Sequence, residues 1–151
     1  LYPVFSLMEE QGHVRRGYFV DGLGGAQFAS PGAVDRLRAG ATSSSLLLAA
    51  TDPANPYGAT LPWPDSAFRL ARVPGAHVVL LGGEFVAFID HGRLSLLGPP
   101  PADLPETLSV LADRQRRFEV REVNGVPAAG TKMGSALLAA GWRHTPKGLR
   151  P

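Results

Sequence analysis

The sequence predicts an α+β fold: a helix–hairpin–helix start, then a mainly antiparallel β module carrying two short helices. Three observations carry this. Gly (18) and Pro (14) supply about a fifth of the 151 residues, which is turn-rich and argues against long helices. From Ala76 onward, short β-patterned runs are separated by Gly82-Gly83 and His91-Gly92-Arg93, the pattern of a meander. The helical patterns are short, and most carry start or stop signals of their own.

In chain order, Val4, Phe5 and Met8 lie at helical spacing, Pro3 is tolerated in a first turn, and Gly12 stops the helix. Val14–Val20 reads as a strand, Asp21–Gly25 as a turn and Ala26–Ala29 as the return. Ser30 caps a second helix with Pro31 at its first position. Val34, Leu37 and the stem of Arg38 are expected to face inward, and Gly40 ends it. Ala41–Ser45 is a small-residue linker and Leu46–Ala50 a short buried strand. Thr51–Pro64 holds four prolines and must be loop; a loop of that length in a compact domain is often functional.

His77–Leu81, Glu84–Ile89 and Leu94–Leu97 form the meander, and Gly98–Pro101 breaks it. Asp103–Arg117 is amphipathic, with Leu104, Leu108, Leu111 and Ala112 on one face. Arg114, Arg116 and Arg117 gather at its C-terminal end, where positive charge complements the helix dipole. Phe118–Val123 alternates as a half-buried strand, and Asn124-Gly125 is a turn. Thr131–Ala140 is the last helix, packing through Met133, Leu137 and Leu138, with Gly141 as its cap. Trp142–Pro151 is an acid-free tail.

No apolar run approaches the roughly 20 residues of a membrane-spanning helix. No charged leader precedes an apolar stretch, so no signal peptide is expected. The chain starts on Leu1 and is expected to be a piece of a longer one. The absence of cysteine excludes disulfides, thiolate nucleophiles and Cys-based zinc sites. Net charge is +2 overall, but residues 1–40 carry 0, residues 41–112 carry −3 and residues 113–151 carry +5. Thirteen of the fifteen bases are Arg, which fits either phosphate partners or an Arg-rich coding bias.

Several chemistries find no motif. There is no phosphate loop ahead of Lys132, no HExxH and no GxSxG; His13, His77, His91 and His144 lack ligand spacing. Gly22-Leu23-Gly24-Gly25 begins like a dinucleotide loop but meets Gln27, and a hairpin turn is the simpler reading. His13 and His91 read as turn residues. The strongest local constellation is a helix followed by Arg15-Arg16 on a hairpin with a Gly-rich turn. That is the second half of a winged helix, whose wing bases contact phosphate; the alternative is an ordinary hairpin with solvated arginines. On this reading Arg15, Arg16, Arg143, Lys147 and Arg150 are the nucleic-acid candidates, with Trp63 and Arg72 as weaker ones. Arg15 and Arg16 are expected to touch phosphate rather than bases. Trp63 can stack on a base or plug the end of a barrel.

Tyr2-Pro3-Val4, Met8-Glu9-Glu10 and Gly12–Phe28 resemble the C-terminal part of the Lhr (large helicase-related) family. So do Pro31–Arg38, Ala50–Gly58, Leu61-Pro62-Trp63-Pro64, Gly141-Trp142 and Thr145–Arg150. The resemblance covers essentially the whole chain. It implies a parent with a superfamily-two ATPase motor moving 3′-to-5′ on single-stranded DNA, using ATP and Mg outside this segment, which itself is expected to hold no cofactor and no metal.

The resemblance also implies tandem winged helices ending in a β-barrel-like module. Residues 1–40 would then be the end of a winged helix and residues 41–151 the barrel-like module. DNA, single-stranded or forked, is the implied partner, together with homo-oligomer assembly, in a bacterial cytoplasmic, nucleoid-associated setting. AlkZ-type glycosylases are distantly similar, so part of a uracil-DNA glycosylase region and a purely structural oligomerisation module remain as alternatives. The Gln-x-Gln or Gln-x-Asp pair of AlkZ-type enzymes is not matched at Gln11, Gln27 or Gln115; such a pair would lie upstream of Leu1. Asp52 resembles the Asp-Pro at the barrel entry of those glycosylases, where a carboxylate can activate water; its other reading is the cap of the following turn. Whether the segment is itself an enzyme stays open.

Overall fold

A computed structural model describes residues 1–40, 43–115 and 117–151. Ala41 and Thr42 of the expected linker, and Arg116 of the expected arginine cluster, lie outside the described residues. The chain divides into two compact units, Leu1–Ala41 and Thr42–Pro151.

In the first unit, α1 (Tyr2–Glu10) has proline in its first turn, and Gly12 follows it at φ +74°. β1 (Arg15–Gly17) pairs antiparallel with β2 (Gln27–Ala29), Arg16 opposite Phe28. The Phe28 ring anchors the helix to this hairpin: it stacks on Phe5 at 5.2 Å and meets Tyr2 edge-on at 5.9 Å. The expected strand to Val20 stops at Gly17 for a visible reason. The Gln27 side-chain oxygen accepts from the Phe19 and Val20 N–H groups, at 2.8 Å each. Its amide donates to the Val20 and Leu23 carbonyls at 2.9 and 2.8 Å. One side chain thus takes the place of a ladder and folds the wing loop around itself.

The second helix, α2 (Pro31–Ala39), starts as expected, with the Ser30 hydroxyl accepting from the Ala33 N–H, and ends at Gly40. Val34 is buried, but Leu37 is 58% exposed, against expectation. Only the first turn of α2 is covered in this unit; Leu37 sits one turn further on.

In the second unit, β3 (Ser45–Ala49), β4 (His77–Leu81), β5 (Glu84–Asp90) and β6 (Arg93–Leu96) form an antiparallel run. β7 (Glu122–Val123) joins β6 in parallel, and β8 (Val126–Pro127) closes a hairpin on β7. Parallel neighbours need a crossover, and α3 (Leu104–Arg114) supplies it. A 3₁₀ turn (Ala128–Gly130) leads into α4 (Lys132–Ala139), capped by Thr131, whose hydroxyl oxygen accepts from the Gly134 N–H.

Both faces of the sheet are covered. On one, Val79, Ala87, Ile89 and Leu94 pack under Leu104, Leu108 and Leu111 of α3 and under Met133 and Leu137 of α4. On the other, Val78, Leu80, Phe85 and Phe88 meet Tyr57 and Trp63 from the proline-rich loop and Leu70 from the segment after it. This two-sided burial explains the unbroken apolar run of β4.

The expected barrel-like module is a mixed sheet: among the described residues its order runs from β3 to β8 without closure, and no closed barrel is found. With a helix layer on one face and a loop layer on the other, its strands have no need to curl onto themselves. The last strand is two residues long and ends on Pro127, which has no N–H to extend a ladder. The other edge, β3, is only half-buried, with Leu46 52% exposed, where a buried strand was expected.

Three further expectations shift. α3 ends at Arg114 rather than Arg117, because the chain leaves the helix to bury Phe118 edge-on against Trp142. Among the described residues, Arg114 is the base in the last turn of the helix, where it complements the dipole. The strand expected over Phe118–Val123 narrows to β7; Val120 instead exchanges two 2.8 Å hydrogen bonds with Leu149. The tail folds as a hairpin of β9 (Arg143–Thr145) and β10 (Gly148–Arg150).

Candidate nucleic-acid interface

In the first unit the two wing arginines have different fates. Arg16 donates to the Glu9 carboxylate at 2.6 Å and lies 5.5 and 5.4 Å from the Tyr2 and Phe28 ring centroids. Its guanidinium is committed to holding the hairpin on α1. Arg15 is exposed and forms no ion pair among the described residues. α1 itself carries Glu9 and Glu10 and no base, so the helix does not add positive charge to the wing.

The C-terminal hairpin is the more open cationic feature. Arg143 and Arg150 are cross-strand partners, and Lys147 sits in the connecting turn; all three are exposed. None forms an ion pair among the described residues. The turn is rigid: the Thr145 hydroxyl oxygen accepts from the Lys147 and Gly148 N–H groups at 3.2 and 3.0 Å. A Cβ at Gly148 would lie 2.3 Å from the Val120 carbonyl, so this position needs glycine to let β10 approach. Leu149 is fully buried and anchors the hairpin from below. Three cations about a fixed turn can follow a phosphate backbone.

The weaker candidates, Asp52 and Trp63 in the proline-rich loop and Arg72 beyond it, serve that loop's architecture. The Asp52 carboxylate accepts from the Ala54 N–H at 2.8 Å, the geometry of a turn cap. The Arg72 guanidinium donates to three carbonyls: Asn55 and Tyr57 from Nη1 at 2.7 and 3.1 Å, and Asp52 from Nη2 at 3.0 Å. Buried Asn55 completes the knot by donating to the Ala50 carbonyl and accepting from the Tyr57 N–H. Trp63 lies edge-on to Phe85 and Phe88, at 5.7 and 6.0 Å.

Sequence reasoning missed a cavity of about 200 Å³ in the second unit. It lies between the start of β4, the β5–β6 turn, the end of α3 and the Arg117–Arg121 segment, and its polar lining includes His77, Gln115, Arg117, Glu119 and Arg121. Three separated segments build it, so no local motif signals it. At its rim, His91 (φ +47°) and Gly92 (φ +77°) form the tight turn expected of them. Arg121 Nη2 donates to the His91 carbonyl at 2.7 Å and pins that turn. Burial pushes the His77 ring below the usual histidine range; the Gly75 carbonyl opposes this and the nearby Arg114 charge adds to it. No group of three His, Asp or Glu side chains suited to a metal occurs among the described residues. No described helix is long and apolar enough to cross a membrane.

Comparison with known proteins adds identity to this geometry. Residues 1–46 match the family model described as the winged-helix domain of large helicase-related protein. An Lhr helicase and probable uracil glycosylase of Mycolicibacterium smegmatis is 41% identical over 174 aligned positions, covering 99% of the chain and 12% of that protein. An Lhr helicase/uracil glycosylase of Escherichia coli is 38% identical over 159 positions, covering 94% of the chain and 10% of the relative. The chain thus spans about a tenth of the length of these relatives.

Proposed function

The chain belongs to the Lhr family, and from that premise we propose that it is a C-terminal accessory region that gives an Lhr-type helicase a hold on DNA. The observation that carries this is the β9–β10 hairpin, with Arg143, Lys147 and Arg150 exposed on a rigid turn and free of ion pairs among the described residues. Arg15 on the wing adds a second, separate contact. The partner is single-stranded or forked DNA, held through phosphates. ATP and Mg would serve a motor elsewhere in the parent, and homo-oligomer assembly is a further role proposed for the same region.

Fluorescence anisotropy with a labelled single-stranded oligonucleotide tests this. Replacing Arg143, Lys147 and Arg150 together by Gln should weaken binding alike across sequences. It should also lower the slope of log affinity against log salt by about 2, given roughly 0.7 per phosphate contact on single strands. Unchanged affinity and slope would remove the hairpin from the interface.

The relatives' names favour one second reading, that the chain forms part of a uracil-DNA glycosylase region. Asp52 is poorly placed for it, its carboxylate being occupied with the Ala54 N–H. Asp52→Ala in the full-length protein is expected to leave any excision of uracil intact.

A further inference from the structure

The cavity at the end of α3 is built for a ligand with both a hydrogen-bond donor and an acceptor. His77 Nδ1 lies 3.0 Å from the Gly75 carbonyl, an oxygen that only accepts. The hydrogen is therefore on Nδ1, and Nε2 of the neutral ring presents a lone pair. Nε2 has no partner among the described residues, and no described side-chain nitrogen or oxygen is both buried and unpartnered. It therefore opens on solvent in a residue that lines the cavity. Burial and the Arg114 charge keep that ring uncharged at neutral pH.

Opposite in character, the exposed Gln115 amide and the exposed Arg117 guanidinium line the same space and supply donors. The negative charge of Glu119 is already engaged: Arg121 Nε lies 3.7 Å from its Oε1, and the Thr145 hydroxyl donates to its Oε2 at 3.1 Å. Buried Ile89, Leu111 and Phe118 form an apolar floor. A fully deprotonated anion would meet the Arg117 donors but leave the His77 lone pair without a hydrogen. A volume of about 200 Å³ is below the roughly 300 Å³ at which ordinary ligand pockets begin, and so suits a single ring.

We propose that this cavity binds one unstacked nucleobase through a lactam edge, its ring N–H donating to His77 Nε2 and its carbonyl accepting from Gln115 or Arg117. The choice of a nucleobase among lactam rings rests on the DNA-binding reading; the geometry itself is independent of the β9–β10 hairpin. The assignment is of binding, with no bond made or broken.

The test is a titration of the 151-residue chain with thymidine and, separately, adenosine, which lacks a lactam edge, following the imidazole signals of the four histidines by NMR. Thymidine should shift the His77 signals saturably in the millimolar range, with His13 and His144 unmoved and adenosine giving at least several-fold weaker binding. Gln115→Ala/Arg117→Ala should weaken thymidine about tenfold, the loss of one good hydrogen bond. The hairpin triple variant, which reads the DNA interface, should bind thymidine normally. No saturable shift at His77, equal binding of adenosine, or an unchanged response in the double variant would each overturn the proposal. Failure of the hairpin variant to lose DNA affinity, with thymidine binding intact, would remove the hairpin from the DNA interface and leave the cavity assignment standing.

Discussion

Arg72 offers the sharpest test of how the second unit holds together. Its guanidinium reaches the Asp52, Asn55 and Tyr57 carbonyls at 2.7 to 3.1 Å, tying the proline-rich loop to the segment that leads into β4. Hydrogen bonds to charged groups contribute about 1.5–3 kcal/mol each, but these three share one cation and are only part-buried. Their joint contribution is set nearer the value of one or two such bonds, about 3 kcal/mol. For a unit the size of Thr42–Pro151, 1 kcal/mol moves the melting point by roughly 4 °C. Arg72→Ala should therefore lower the melting temperature by about 12 °C, followed by circular dichroism. Arg72→Lys should recover less than half of this, because a point charge cannot span three carbonyls in two directions. A phosphate-contacting arginine would behave otherwise: lysine would keep both the fold and the DNA affinity. If Arg72→Ala melts within about 2 °C of the parent, or Arg72→Lys matches it, the clamp does not hold the loop.

Two other outcomes follow from particular contacts. Gly58 has φ +73°, and a Cβ there would lie 2.4 Å from the Trp63 indole. Gly58→Ala should thus cost at least about 2 kcal/mol, visible in urea titrations as a lower midpoint and a shift of tryptophan fluorescence. The Ser45 hydroxyl donates to the Asp103 carboxylate at 2.6 Å and the Ser45 N–H donates at 2.8 Å, holding that carboxyl below the usual range. A carboxyl depressed in the folded state stabilises above the ordinary carboxylate range, and the contribution is lost as pH falls through the folded value. Asp103→Asn should flatten the acid limb of the melting-temperature profile while changing little in shape near neutral pH. A parallel profile would show that the pair is not what acid disrupts.

The elements readable from the sequence were those with local causes. The Ser30-Pro31 start of α2, the Gly82-Gly83 turn and the Asn124-Gly125 turn each rest on neighbouring residues, and each stands where expected. What was not legible depended on distant partners. Nothing near Glu122 indicates that β7 runs parallel to β6, because that pairing is set by the α3 crossover. Nothing near Arg143 shows that an acid-free tail would fold back, because the reason is Val120, some twenty residues upstream. The same limit governs the sites. Arg15 and Arg16 read alike in sequence, yet Arg16 meets Glu9 across the unit and Arg15 does not. The cavity beside His77 draws on three separated segments and has no sequence signature at all.

The proline-rich loop invites one last deduction. Its residues are neither helix nor extended strand, yet Tyr57 and Trp63 are built into one of the two apolar clusters. A segment that covers half the sheet cannot peel away as loops usually do without exposing Phe85 and Phe88. Proteases that nick loops should find Pro56–Trp63 refractory for as long as the unit is folded, and its amides should exchange with solvent only when the whole unit opens. A tag or domain grafted there would be tolerated far less well than its irregular backbone suggests.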